Sequence, residues 1–382
     1  MIQCLPMKFV FAIDSFKGSI DSVSAGKAAA EGARRVFPDA ECVVCPLADG
    51  GEGTVQALVA GLGGEIRKVL VTGPMGRPVV ASYGLLDDGR AVMEMAEAAG
   101  LALVPRGERD PLAATTFGVG EMMGDAIANG AASIVMGIGG SATNDAGAGM
   151  LQALGWRLLD SWGRDLPRGG AALASIAGVV PPPSPLGCRL RIACDVTNPL
   201  CGPKGASAVF GPQKGASEKD VAELDAALAR FAGVADPEGR FVSMPGAGAA
   251  GGLGFALAAL LGAELVRGVD LIIDETGLAD HVAGSDAVVT GEGRLDAQTA
   301  MGKAPIGVAR LAKAHGARTI ALSGCIGDGA EALNAAGIDA FFPVLRKVVP
   351  LDEALDAAAT AVNIAATSEQ AFRCMRAGGM GK

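Results

Sequence analysis

Residues 8–47 read KFVFAIDSFKGSIDSVSAGKAAAEGARRVFPDAECVVCPL. KFVFAI (8–13) is short, apolar and rich in aromatic and β-branched side chains, and it ends at Asp14, the pattern of a buried strand. DSVSAGKAAAEGARRVF (21–37) offers Asp21 or Ser22 as an N-cap and then alanines at helical spacing. ECVVCPL (41–47) is the next strand, ADGGEG (48–53) a polar loop, and a helix starts at Thr54. Strand–helix–strand–helix is the grammar of a parallel sheet, because parallel neighbours need a crossover long enough to hold a helix.

The character changes near residue 73. IRKVLVTG (66–73), PVVASYGLL (78–86) and RAVMEMA (90–96) are three strand-like runs joined only by turn residues, so an antiparallel or mixed element is expected. A helix is expected around 115–129, then a strand ASIVMGIG (132–139). Residues 155–187 read as loop, with a rigid PPPSP at 181–185. CRLRIACD (188–195) reads as a strand ending at Asp195, and SEKDVAELDAALARFAGV (217–234) as an amphipathic helix capped by Ser217. DAVVTGEG (286–293), a helix from about Gly302, TIALSGCIG (319–327), DAFFPVL (339–345) and a last helix from Leu351 restore the alternation. The fold expected is α/β with two domains. A flavodoxin- or Rossmann-like parallel-sheet domain is built from both chain ends, 1–73 and 268–382, with a mixed α/β domain, 74–267, inserted between.

The totals agree with a globular chain of this kind. Half of the 382 residues are apolar and the net charge is −9. That balance disfavours disorder and argues against a global attraction to nucleic acid or an anionic membrane. There are eight cysteines, and the opening MIQCLPMKFVFAI has no basic stretch before its apolar run, so free thiols and a cytoplasmic location are expected. Cys42 and Cys45 form a CxxC on a strand, where this spacing sends side chains to opposite faces; buried thiols are expected rather than a metal pair. His281 and His315 fall in polar, helix-like stretches and read as surface residues. GAGAAGGLGFALAALLGA (246–263) is uncharged, yet it holds six glycines and reads as a loop feeding a buried helix rather than a membrane span.

Chemistry is concentrated in glycine loops. Five share one design, an apolar strand ending in small residues with acids, hydroxyls or lysines: IDSFKGS (13–19), LADGGEGT (47–54), GIGGSATND (137–145), CDVTNPLCGPKGA (194–206) and VTGEGRLDAQT (289–299). FGPQKGA (210–216) is a related loop. Ligands of parallel sheets bind beyond the carboxyl ends of strands, where glycines admit phosphate oxygens to backbone N–H groups and helix N-termini favour negative charge. Asp14, Asp49, Asp145, Asp195, Glu292 and Asp296 lie in these loops, with Lys17, Lys204, Lys214, Arg294 and Lys303 beside them. Carboxylates alone would point to a divalent metal and lysines alone to phosphate. Together they point to a Mg²⁺-nucleotide site, with a carboxylate as base to a substrate hydroxyl. Each residue alone also has a plain reading, since a strand-end Asp often caps the following helix and a loop Lys is often solvated.

Two further matches compete. GAGAAG (246–251) fits the dinucleotide-binding GxGxxG with Asp270 following, which would make the chain an NAD-dependent oxidoreductase, but RFVSMP before it is a poor strand. MGKAP (301–305) has a GK pair, but Ala304 stands where a P-loop has Ser or Thr for Mg²⁺. A non-catalytic sensor would have no use for a base.

Seven stretches in order, DSFKGS (14–19), PLADGGEGT (46–54), GGSATNDAGAGML (139–151), DVTNPLCG (195–202), FGPQKGA (210–216), GAGAAGGLG (246–254) and TGEGRLDAQTAMGKAP (290–305), resemble the signatures of the bacterial type I glycerate kinase family. The resemblance runs from Lys8 to about residue 370. It implies ATP-dependent phosphorylation of D-glycerate, usually at the 2-hydroxyl, and an active-site cleft between two domains. Kinases of other small hydroxy or sugar acids are the nearest alternative.

Under this resemblance Asp195 is the first choice for the base and Asp296 the second, and Lys17 or Arg294 would pair with the glycerate carboxylate. Asp14, Ser141, Asn144 and Asp145 would meet the substrate. Gly50, Gly51, Gly139, Gly140, Lys214, Gly291, Glu292 and Lys303 would hold ATP and its phosphates. Asp49 and Glu52 are the candidate Mg²⁺ ligands. The expected partners are D-glycerate and ATP, with neither nucleic acid nor membrane, and a homodimer is allowed.

Overall fold

The computed structural model describes residues 6–48, 50–51 and 53–380. Among the described residues thirteen strands run in chain order: β1 (Lys8–Ile13), β2 (Glu41–Val44), β3 (Glu65–Thr72), β4 (Pro78–Leu85), β5 (Arg90–Glu94), β6 (Ser133–Gly137), β7 (Arg157–Leu159), β8 (Gly178–Val180), β9 (Arg189–Ala193), β10 (Glu264–Val266), β11 (Ala287–Leu295), β12 (Arg318–Ile326) and β13 (Ala340–Pro343). They divide between two compact units. One comprises Met1–Asp49, Gln56–Gly63 and Ile272–Lys382; the other comprises Gly50–Val55 and Gly64–Leu271.

The first unit holds a five-stranded sheet of order β13-β12-β11-β1-β2, parallel throughout. KFVFAI forms its buried centre, as its apolar run predicts. The helix Ser22–Arg34 starts on Asp21, whose side chain accepts from Ser24 N–H, so Asp21 is the cap. Ser22 has a different task. Its hydroxyl donates to Ile13 O at 2.7 Å and accepts from Leu47 N–H at 2.9 Å, tying the ends of two strand segments together. Phe9 packs against Phe372 of the helix Ala357–Ala377 in a tilted pair with ring centroids 4.6 Å apart, and Phe37 packs on Phe9 at 5.4 Å. The last helical region is in two pieces, Leu351–Ala354 and Ala357–Ala377, because Asp356 caps a fresh start by accepting from Ala359 N–H.

The second unit holds a six-stranded mixed sheet of order β10-β9-β6-β5-β4-β3 and a small β7-β8 ribbon. β3, β4 and β5 are antiparallel neighbours, whereas β5, β6, β9 and β10 are parallel. The three runs after residue 64 thus make the expected mixed element. β3 pairs with β4 from Glu65↔Leu85 to Thr72↔Pro78, so it belongs to this unit, and the division falls at Gly64 rather than after residue 73. The 155–187 stretch read as loop contains the β7-β8 ribbon. Ser217 caps Glu218–Ala235 in a capping box with Asp220. Buried Tyr83, Met93, Met122, Met136, Met150 and Phe255 are among the core side chains of this unit.

The stretch 249–261 breaks at Ala250–Gly252, where φ is positive at all three residues, and continues as a largely buried helix to Leu261; no helix among the described residues is long and apolar enough to cross a membrane. Cys42 lies in β2 and Cys45 just past its end; burial pushes the Cys45 thiol up to about 11 and also raises Cys42. All cysteines among the described residues are free. His281 and His315 are exposed.

Candidate functional site

The parallel half of the six-stranded sheet ends at Glu94 on β5, Gly137 on β6 and Ala193 on β9, with Glu94 paired to Gly137 and Gly137 to Ala193. Gly50 lies across these ends. A Cβ on Gly137 would come 2.0 Å from Gly50 O, and a Cβ on Gly50 would come 2.6 Å from the Ala193 side chain. Backbone here rests on backbone, which only glycine permits. Thr54 Oγ1 donates to Gly51 O at 2.6 Å and closes the loop as the helix Thr54–Leu62 begins.

Beside this loop is a pocket of about 480 Å³ lined by Gly50, Gly51, Glu94, Gly137, Gly139 and Gly140, with the turn at 100–103 as another wall. Leu101 N–H donates to Gly140 O at 2.8 Å and Ala142 N–H to Ala99 O at 2.9 Å, so the 139–142 backbone is pinned to that wall. Four of the glycines proposed from sequence for phosphate, Gly50, Gly51, Gly139 and Gly140, therefore meet at one pocket. Gly139 and Gly140 are exposed at its mouth.

Two carboxylates that the sequence reading missed, Glu94 and Glu97, line this pocket, and Glu94 is the buried one. Only 9 % of it is exposed. Its Oε1 accepts from Gly53 N–H at 3.1 Å and Val55 N–H at 3.3 Å. Burial pushes its carboxyl up to about 7, against the lowering effect of those backbone bonds. The signal was present in RAVMEMA: an acid at the last position of an apolar strand, the feature that singled out Asp14 and Asp195.

The GIGGSATND loop is held from within. Lys214, in the turn Pro212–Lys214, is 2 % exposed, and its Nζ donates to Ser141 Oγ and to Thr143 O, each at 2.7 Å. Burial lowers its ammonium to about 7, opposed by the field of Asp145. Asp145 is fully buried. Its Oδ2 accepts from Thr116 N–H at 2.8 Å, Thr116 Oγ1 at 2.9 Å and Gly149 N–H at 3.2 Å, and its Oδ1 accepts from Gly147 N–H at 3.1 Å. Burial raises the Asp145 carboxyl above the usual carboxylate range. It serves the starts of two helices, Phe117–Ala128 and Ala148–Ala153. Asn144 is equally buried, and its Nδ2 donates to Ser207 Oγ at 2.8 Å. Lys214, Asn144 and Asp145, expected from sequence to meet phosphate or substrate, are interior groups bonded within and around this loop, and Ser141, 7 % exposed, is bonded to Lys214.

Asp195 is exposed just past β9, and its Oδ1 accepts from Gly268 N–H at 2.9 Å. GAGAAG has no strand before it, because residues 240–245 form turns. Gly251, at φ +69°, would carry a Cβ 2.0 Å from Thr143 O, and its own carbonyl accepts from Ala146 N–H at 2.9 Å. These glycines let a helix pack against the GIGGSATND loop; the strand–turn–helix context of a dinucleotide fingerprint is missing.

The first unit carries its own set at the ends of β1 and β11. Asp14 N–H donates to Gly291 O at 2.9 Å, and Asp14 is 6 % exposed. Gly291 has no room for a side chain, since a Cβ would lie 2.0 Å from Leu322 O. Thr299 Oγ1 donates to Glu292 Oε1 at 2.6 Å. Asp296 caps Ala297–Ala300 through Gln298 and Thr299 N–H, and its Oδ2 lies 3.3 Å from Arg294 Nε. Lys17 is exposed, with its backbone N 3.5 Å from where a Gly293 Cβ would stand. Lys303 is exposed and forms the N-cap of Ala304–Ala314. Asp49 and Glu52, the expected Mg²⁺ ligands, lie outside the described residues.

Comparison with known proteins converges on one family. The glycerate kinase family model matches residues 9–376. A glycerate kinase of Bacillus subtilis (strain 168) is 48% identical over 374 residues, 94% of this chain and 97% of that protein. A glycerate 2-kinase of Escherichia coli (strain K12) is 46% identical over 374 residues, 94% of this chain and 98% of that one. A crystal structure of a protein assigned as glycerate kinase 2 from Salmonella typhimurium LT2 superposes with a TM-score of 0.89 at 44% identity, covering 98% of this chain and 99% of that chain. These matches span the polar glycine loops as well as both sheets: the chain belongs to the glycerate kinase family.

Proposed function

We propose that this protein transfers the γ-phosphoryl group of ATP to the 2-hydroxyl of D-glycerate, giving 2-phosphoglycerate. Family membership supplies the kinase activity and ATP, and the similarity to a glycerate 2-kinase supports the position. The observation that carries the chemistry is the pocket at the carboxyl ends of parallel strands, which Gly50, Gly51, Gly139 and Gly140 line together with Glu94 and Glu97. Glycines without side chains are the positions at which phosphate oxygens can approach backbone N–H groups.

Positioning and charge neutralisation carry most of a phosphoryl transfer, because its loose transition state asks little covalent work of the protein. Lys17 and Arg294 bind the glycerate carboxylate in this reading. Asp195, exposed past β9, accepts the proton of the attacking hydroxyl, a contribution of about 10²–10⁴-fold. Asp296 ranks behind it, since its oxygens already cap a helical turn and meet Arg294. Mg²⁺ supplies charge neutralisation on the phosphates. Such sites hold Mg²⁺ through one or two carboxylates plus phosphates and water, and Asp49 and Glu52 are the residues that would hold it here. The test is D-glycerate-dependent ADP release from Mg²⁺-ATP by the purified protein. Turnover of D-glycerate in preference to other small hydroxy acids supports the assignment; preference for another acid overturns it.

A further inference from the structure

The Glu94 carboxylate stands where it is electrostatically awkward. It lines the same pocket as four glycines suited to phosphate, yet an ionised carboxylate repels phosphate. Its bonds account for its presence. Oε1 reaches across to the second unit's own segment Gly50–Val55 and accepts from two backbone amides, Gly53 N–H and Val55 N–H, at the start of Thr54–Leu62. That helix start is also where a negative group is favoured by the peptide dipoles.

The end of β5 is itself fixed. Met95 N–H donates to Gly137 O at 2.9 Å, and Glu94 is in register with Gly137. Gly137 is in turn the residue on which Gly50 O rests. One side chain thus joins a rigid strand end to the far side of a glycine loop whose near side lies on the neighbouring strand.

We propose that Glu94 is a positioning residue for phosphoryl transfer, which holds the Gly50–Gly53 loop over the ends of β6 and β9 through its two amide bonds and so sets the backbone that receives the ATP phosphates. This rests on the kinase reading above. Gly50, Gly51 and Gly53 have no side chains to fix their backbone by packing, so its geometry depends on such an anchor. Displacement of about 1 Å is enough to cost roughly 10²-fold in rate.

The experiment compares Glu94→Ala, which removes the acceptor, with Glu94→Gln, which keeps a carbonyl oxygen for the amides and drops the charge. Three readouts are taken: kcat and KM with D-glycerate and Mg²⁺-ATP, ATP affinity by calorimetry, and hydrogen exchange of the peptide covering 50–58. E94A is expected to lose about 10²-fold in kcat/KM and at least tenfold in ATP affinity, with faster exchange confined to 50–58. E94Q is expected to recover to within about tenfold of wild type on the same readouts. E94A within threefold of wild type in ATP affinity, or E94Q as impaired as E94A, overturns the proposal; the second result would assign the charge, not the anchoring, to Glu94. Should E94A fail to fold, Glu94→Asp withdraws the acceptor by one methylene and is read in the same way. ATP affinity and exchange do not depend on the acceptor acid, so failure of the glycerate assignment is separable from failure of this inference.

Discussion

Lys214 Nζ lies 2.7 Å from both Ser141 Oγ and Thr143 O, so a lysine buried in the second unit fixes the loop that joins β6 to the helix Ala148–Ala153. Lys214→Met keeps the length and removes the donors. It leaves Thr143 O without this bond, and a loss of about 1–3 kcal/mol is expected. The pH dependence has a definite sign. Burial lowers the ammonium to about 7 from an ordinary 10.5, so the unfolded chain binds the extra proton between these values. The contribution of Lys214 is present above 10.5 and is lost as pH falls through 7. Wild-type stability, read by thermal melts, should therefore gain from Lys214 between pH 7 and 10, and the Met variant should lack that gain.

Asp145→Asn tests the buried carboxylate. Four donors converge on its two oxygens, and an amide would present N–H to at least one of them. The expected result is a stability loss of about 1–3 kcal/mol, with turnover per folded molecule less affected. A variant as stable as wild type but inactive would support Asp145 as a substrate ligand instead.

Glu94 gives a second pH signature. Its carboxyl titrates near 7 in the fold against 4.5 ordinarily, a raised value. The associated stability is fully present below 4.5 and is lost as pH rises through 7. Melting temperatures of wild type relative to Glu94→Gln should fall across that window, and a constant difference between the two would show that the carboxyl is not raised.

Gly137→Ala probes the loop from beneath. The added methyl would lie 2.0 Å from Gly50 O, and neither partner is a flexible side chain. The loop must lift, so kcat/KM should drop by about tenfold or more while the β5–β6–β9 pairing survives. Unchanged kinetics would mean that the 50–53 loop does not set the reaction geometry.

The alternation of elements was legible because strand and helix periods are local properties. KFVFAI, the 217–234 helix with its Ser217 cap and the DAVVTGEG strand all form near the positions read. β3 shows the limit: nothing within IRKVLVTG says which sheet it joins, and only its full-length pairing with β4 decides that. The glycines were legible for the same local reason, and Gly50, Gly51, Gly139 and Gly140 do meet at one pocket. Depth was not legible. Lys214, Asn144 and Asp145 look like solvent-facing loop residues in sequence, because the burial of a single side chain such as Lys214, at the end of a turn whose Pro212 and Gln213 are exposed, is decided by distant segments packed around it. Glu94 was hidden by its apolar neighbours in RAVMEMA, although its place at a strand end was visible.

The most direct test of the central claim is the position of the phosphate on the product. ADP release with D-glycerate is followed by coupling to enolase, with and without phosphoglycerate mutase, since enolase accepts only the 2-phosphate. A signal without mutase is the predicted result and fits transfer to the 2-hydroxyl. A signal that requires mutase would contradict it and place the phosphoryl group on the 3-hydroxyl, and no ADP release with D-glycerate would remove glycerate as the acceptor.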